Sequence, residues 1–129
     1  MKMTTKFVLF GAAAMLFSGC SQFCTSIEGN WEMEGTPADI EATIMLMPDG
    51  EIAGSTGLNN YFGQYSLPAE NGILLEPQGM TRRAGSPVEM EFENDFMEIL
   101  RKANKYSIDG ERLILKENDN IIAVFEKED

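Results

Sequence analysis

The chain has 129 residues, with 10 basic against 21 acidic side chains, no histidine and two cysteines, for a formal charge of −11. The length supports one domain. The acidic balance argues against a nucleic-acid partner, because no Lys/Arg patch replaces counterions on phosphate. The absence of His removes histidine triads, imidazole metal sites and histidine pH switches together, and the 43% hydrophobic fraction is that of a folded globule.

Residues 1–19 read as a lipoprotein signal peptide. Lys2 and Lys6 precede eleven uncharged, mostly apolar residues, Phe7 to Phe17. A membrane-spanning helix needs about 20, so the run matches the apolar region of a secretory leader. It ends in Ser18-Gly19-Cys20, small residues before a cysteine, as in a bacterial lipobox; Phe17 stands where an aliphatic residue is usual. Cleavage before Cys20 and acylation of its sulfur predict a lipid-anchored protein of the bacterial cell envelope, placed at the outer membrane. Stable anchoring takes two or more acyl chains, at about 0.8 kcal/mol per buried methylene. Loss of Lys2 and Lys6 leaves 110 residues with 8 basic and 21 acidic groups, net −13. That charge repels anionic head groups, so the lipid and not the protein surface would hold the membrane. Residues 20–26 read as the lipidated cysteine and a tether. Cys24 lies in it, with no partner left in the chain once Cys20 is acylated.

Residues 27–129 read as one mainly β domain, a β-rich α+β antiparallel meander or barrel of about eight strands. Short apolar stretches alternate with turn signals: Gly29 to Glu34, Thr43 to Met47, Ile52 to Thr56, Tyr61 to Leu67, Ile73 to Glu76, Tyr106 to Ile108, Arg112 to Leu115 and Ile121 to Phe125. Pro48-Asp49-Gly50, Glu70-Asn71-Gly72, Asp109-Gly110-Glu111 and Asn118-Asp119-Asn120 lie between them. Asp, Asn and Gly there tolerate the positive φ of tight turns.

One segment departs from this pattern. Ser86-Pro87-Val88-Glu89 combines an N-cap serine, proline at the first helical position and a glutamate three residues after the cap. Phe92, Phe96, Leu100 and Ala103 follow at near-helical spacing, which predicts an inserted helix over about 87–103. Glu89, Glu91, Glu93 and Asp95 crowd its start and Arg101, Lys102 and Lys105 its end. Both blocks suit the helix dipole, and the acidic cluster reads as a solvated terminus and not a cation site.

The stretch Ile52 to Tyr65, with Gly54, Gly57, Asn59, Tyr61, Gly63 and Tyr65, resembles the first signature of the META domain, the family of HslJ-like lipoproteins. Met80-Thr81-Arg82-Arg83-Ala84-Gly85 resembles its second signature, and Gly29-Asn30-Trp31 its opening Gly-x-Trp. The resemblance spans about residues 28–126. The two signature cysteines of the family fall at Leu58 and Gly85 here. The resemblance implies that they pair as a disulfide in relatives that have both, closing a 28-residue loop worth about 3–4 kcal/mol. It also implies a stress- or envelope-related role without established chemistry.

The signature residues allow two readings. As architecture, Gly54, Gly57 and Gly63 permit bends, Asn59 and Asn60 suit a left-handed turn residue, and Trp31, Tyr61 and Tyr65 supply apolar area with polar tips. As a binding rim, Asn59, Asn60, Tyr61, Thr81, Arg82 and Arg83 would face an anionic ligand. The expected function is that of a non-catalytic, monomeric envelope lipoprotein acting on an envelope protein or a small ligand. No catalytic, metal or cofactor site is expected, since no nucleophile–base pair, metal-ligand spacing or phosphate loop is present. The alternative is a barrel that carries a small hydrophobic or anionic molecule, lined by Met45, Met47, Phe62, Phe92 and Phe96.

Overall fold

The computed structural model describes residues 27–128 apart from Ala38. The leader, Cys20 and the tether with Cys24 lie outside the described residues. Eight strands and one helix follow in chain order: β1 (Gly29–Met33), β2 (Thr43–Leu46), β3 (Glu51–Ser55), β4 (Asn60–Ser66), β5 (Leu74–Met80), α1 (Pro87–Lys102), β6 (Lys105–Asp109), β7 (Arg112–Glu117) and β8 (Asn120–Glu128). All eight anticipated strands form, and the turns use the anticipated residues. Gly50, Asn71, Gly110 and Asn118 have φ of 90°, 62°, 63° and 57°, the left-handed region that Gly and Asn enter at least cost.

The strands make one antiparallel sheet in the order β5-β4-β3-β2-β1-β8-β7-β6. Two meanders are thus joined where β8 pairs with β1, Trp31 opposite Lys127 and Met33 opposite Phe125. The sheet is not closed into a barrel, which corrects that half of the expectation. The segment leading into β5 approaches β6 near one end, through the bridge Gly72–Lys105 and the bonds from Tyr106 N to Asn71 O (2.9 Å) and Ile73 N to Asn104 O (3.2 Å), without a ladder between the two edge strands among the described residues. The helix is the physical reason. It connects the two edges, and its buried side chains Phe96, Met97 and Leu100 occupy the space that a closing ladder would need.

The helix begins as its sequence dictates. Ser86 accepts from Glu89 N (3.2 Å) while Ser86 N donates to Glu89 Oε1 (2.9 Å), with Pro87 in the first turn. Phe96 is fully buried, edge-on to Tyr61 and Phe125 (centroids 5.9 and 6.3 Å) and stacked with Phe92 (6.0 Å). The inner face of the sheet supplies Trp31, Ile44, Leu46, Ile52, Leu113 and Leu115, all at most 1% exposed. Trp31 donates its indole N–H to Ile27 O (2.8 Å), and Lys127 Nζ sits 5.2 Å from its ring centroid.

Period-two alternation leaves one apolar row on the outer face. Met45 pairs with Ala53, Ala53 with Phe62 and Phe62 with Gly79. Phe62 is 58% exposed, and its ring lies across Gly79, where a Cβ would collide with it. Met45 and Phe62 therefore do not line an interior cavity, contrary to the carrier reading. Directly paired residues point to the same face, and their neighbours Ile44, Ile52 and Tyr61 already fill the inner one.

Candidate functional site

The two signatures meet. The turn from β3 into β4 carries Thr56 to Asn59, and the segment after β5 carries Thr81 to Gly85. Asn59 is only 1% exposed and joins the two. Its Oδ1 accepts from Arg83 N (2.6 Å) and Thr81 Oγ1 (3.0 Å). Its Nδ2 donates to Arg83 O (3.1 Å) and to Glu93 Oε2 (2.8 Å). Its backbone N–H donates to Thr56 Oγ1 (2.9 Å), and the buried Thr56 hydroxyl donates to the same Glu93 oxygen (2.8 Å). Every polar atom of the Asn59 side chain is used within the protein.

The remaining rim residues divide by what they touch. Arg83 Nη2 donates to Leu58 O (2.7 Å), so this guanidinium is spent on the loop. Thr81 and Asn60 exchange two bonds, Thr81 N to Asn60 O (2.9 Å) and Asn60 N to Thr81 Oγ1 (3.0 Å). Tyr61 turns inward to donate to Thr43 O (2.8 Å), and Tyr65 donates to Met47 O (2.7 Å). Arg82 points elsewhere, to a groove beside α1. The anticipated rim of Asn59, Asn60, Tyr61, Thr81, Arg82 and Arg83 is therefore not one surface. The shared bonding among four of its members makes it a brace, because buried polar groups must find partners inside.

Two glycines meet the steric demands of this brace. Gly57 has φ +91° and packs on Ile40, so it, and not Asn59 or Asn60, supplies the left-handed residue of the turn. That corrects the expectation for the two asparagines; their amide and backbone groups serve as bonding partners. At Gly54 a Cβ would stand 2.7 Å from the Tyr61 hydroxyl, so the absent side chain is what lets the Tyr61 ring cross to Thr43. Gly63 lies where the β4–β5 register shifts between Phe62 and Gly63.

Glu93 is the member that the sequence reading missed. Its place among Glu89, Glu91 and Asp95 reads as solvated charge, yet its carboxylate reaches inward to Thr56 and Asn59. Its spacing carried the signal, since positions 93, 97 and 100 fall on one helical stripe with the buried Met97 and Leu100.

The family's cysteine positions are neighbours here. A Cβ on Gly85 would stand 2.7 Å from Leu58 Cδ1. The half-buried Leu58 thus fills the volume over Gly85 with apolar contact at the place where the resemblance implies a disulfide in relatives.

Burial drives the Tyr61 phenol well above the ordinary tyrosine range. Tyr65 is also raised, by burial first and then by Glu28 and Asp49. A folded-state pKa above the unfolded value means that the folded form keeps its proton while the unfolded form ionises. For the buried Tyr61 the resulting stability is complete below about pH 10 and is lost as pH rises beyond it, by about 1.4 kcal/mol per pH unit, and the partly exposed Tyr65 acts in the same direction. Denaturant unfolding from pH 8 to 11 is expected to show this loss. Tyr61→Phe is expected to flatten the slope while costing about 1 kcal/mol at neutral pH for the bond to Thr43.

Among the described residues, no cluster of three or more Cys, Asp or Glu is placed to hold a metal ion, and no helix is long and apolar enough to cross a membrane. The geometry defines a small β domain: an open eight-stranded meander crossed by one helix and braced between two loops. The chain belongs to the META domain family, whose profile matches residues 19–129.

Two solved structures share the fold. One is the crystal structure of a DUF4847 family protein from Bacteroides vulgatus ATCC 8482. It is 23% identical, with a TM-score of 0.51, covering 68% of this chain and 61% of that one. This chain therefore spans about three fifths of that protein's length. The other is the NMR structure of a protein from Burkholderia xenovorans, 16% identical, with a TM-score of 0.62 over 78% of this chain and 82% of that one. No curated protein matches this chain.

Proposed function

We propose that this META domain protein is an exported, lipid-anchored, non-catalytic component of the bacterial cell envelope. In this reading it is a monomeric domain tethered by Cys20 at the outer membrane, and it serves envelope maintenance or stress tolerance through contact with another envelope protein. The observation that carries the reading is the occupation of the signature residues. Asn59, Thr56, Thr81, Arg83 and Glu93 spend their polar atoms on one another, which makes the family signature a scaffold for display. The Lys2/Lys6 leader and Ser18-Gly19-Cys20 support the anchor. The charge of the processed chain supports tethering by lipid, since a strongly acidic surface does not adhere to anionic head groups.

Binding of a hydrophobic molecule inside the sheet is the weaker reading, because Phe96, Leu113, Leu115 and Phe125 fill that space.

The test is metabolic labelling with a palmitate analogue, followed by mass spectrometry of the amino terminus and scoring of a deletion strain under envelope stress. The expected result is an acylated Cys20 at the new amino terminus, label lost in Cys20→Ser, and a stress defect rescued by the wild type but not by Cys20→Ser. An intact leader with an unmodified Met1, or a deletion strain indistinguishable from the parent under heat, detergent and antibiotic stress, overturns the proposal.

A further inference from the structure

The protein is rich in carboxylates, with far more acidic than basic side chains, so where its few cations lie is informative. Eight Lys and Arg residues lie in the described part of the chain. Lys102, Lys105 and Arg112 pair with Glu98, Asp119 and Glu34. Arg83 and Lys127 donate to the backbone oxygens of Leu58 and Glu28. Among the described residues, the side chains of Arg82, Arg101 and Lys116 have no bond or ion pair. Two of these three, Arg82 and Arg101, line the same groove.

That groove, of about 150 Å³, runs between β5 and the last turns of α1. Its walls are Pro77, Gln78, Gly79, Met80, Arg82, Met97 and Arg101, without a single carboxylate. Its position follows from the fold. β5 is an edge strand, paired only with β4. The register shift opposite Phe62 and Gly63 leaves Gln78 as the extra residue between Gly79 and Pro77, and a bulge of this kind re-aims the side chains beside it. On the helix, Met97 and Arg101 are four residues apart and so share a face. Met97 is buried and Arg101 is exposed, which gives that side of the groove an apolar floor and a cationic lip. Met80 and Arg82 repeat the pairing on the other side.

Two guanidiniums line a groove whose walls carry no carboxylate, and an oxyanion between them would be held through charge-assisted, bidentate bonds. Polarisable methionine side chains adapt to whatever apolar group accompanies the anion. The negative field of the rest of the protein disfavours large polyanions and anionic surfaces, which leaves a compact ligand. We propose that this groove binds a small organic anion, its oxyanion held by Arg82 and Arg101 and its short apolar portion lying on Met80 and Met97. The inference does not depend on the lipid anchor or on an envelope partner.

The experiment is a titration of the full chain, with its arginine side chains labelled with nitrogen-15, using hexanoate and hexyl phosphate as probes and hexanol as the uncharged control. Saturable shifts of the Arg82 and Arg101 Nε–H resonances are expected with at least one anion and not with hexanol. The anion that binds more tightly identifies the head group. Arg82→Gln and Arg101→Gln are each expected to weaken binding by about tenfold or more, whereas Arg112→Gln, which removes an equal charge elsewhere, leaves it unchanged. Because Arg82 and Arg101 are exposed, both variants are expected to keep the wild-type amide spectrum around Asn59. No saturable shift with either anion overturns the proposal. So does an equal response to hexanol, or an affinity that Arg82→Gln and Arg101→Gln leave unchanged.

Discussion

Asn59→Ala is expected to lower the unfolding free energy by about 3 kcal/mol, measured by chemical denaturation, the largest loss anticipated here from removing one polar side chain. The amide has four bonded partners, and truncation removes the Asn59 bond from the backbone N–H and C=O of Arg83 and leaves the Thr81 hydroxyl and the Glu93 carboxylate one bond short, with Asn60 N and the Thr56 hydroxyl as their remaining partners. A buried group left without a partner costs about 1–3 kcal/mol. The sum is reduced because Thr81 and Arg83 are exposed enough to recover water.

Asn59→Asp separates charge from volume. It places an oxygen where Nδ2 now stands, 2.8 Å from Glu93 Oε2, so a donor is replaced by a like charge. Its loss should equal or exceed that of Asn59→Ala although the side chain keeps its shape. Adding Glu93→Gln returns a donor to the contact and should recover part of the loss, giving a coupling energy of about 1 kcal/mol or more in the double-mutant cycle. Equal, additive losses for Asn59→Asp and Glu93→Gln would show that the two side chains do not share a bond.

The second large effect runs the other way. Leu58→Cys combined with Gly85→Cys is expected to form a disulfide and to stabilise the oxidised protein by up to about 3–4 kcal/mol, the loop-entropy value for a closure of this length, less the cost of moving Glu89 Oε1 away from the new Cβ. In a domain of this size that corresponds to a rise of about 10–20 °C in Tm. The structural basis is the adjacency of Leu58 to the missing Cβ of Gly85. Gly85 does not carry a positive φ, so a cysteine there meets no backbone penalty.

Gly85→Cys alone should destabilise, since its Cβ meets Leu58 Cδ1 at 2.7 Å and Glu89 Oε1 at 2.6 Å, and Glu89 is a member of the capping box. Thermal melts with and without reductant, with thiol titration, give the readout. A double variant whose Tm is the same in both conditions would mean that the two positions do not meet in bonding geometry.

Much of the fold could be read from local chemistry. Each strand alternates apolar and polar residues or forms a short apolar run between Asn, Asp and Gly turns, and all of these became strands. The helix declared its start through Ser86, Pro87 and Glu89, because capping is decided within four residues. Asn71, Gly110 and Asn118 likewise sit where a tight turn needs positive φ. The candidate site was less legible. Thr81, Arg82 and Arg83 are consecutive, yet one bonds the neighbouring strand, one lines a groove with Arg101 and one holds Leu58. Adjacent residues on an irregular segment point in unrelated directions, and no periodicity announces which. Glu93 looked like one more solvated acid because its partners, Thr56 and Asn59, lie 37 and 34 positions away in the chain.

The amino-acid order by itself determined the strands, their turns, the capped helix and the acidic, histidine-free character of the surface, because each depends on neighbours within a few residues. Only the tertiary structure decided that β1 lies between β2 and β8, that the sheet stays open around α1, that Phe62 faces outward across Gly79, and that Arg82 and Arg101 line one groove. These outcomes depend on contacts between distant segments, whose loop-closure cost and packing gain are not written in any one stretch of chain.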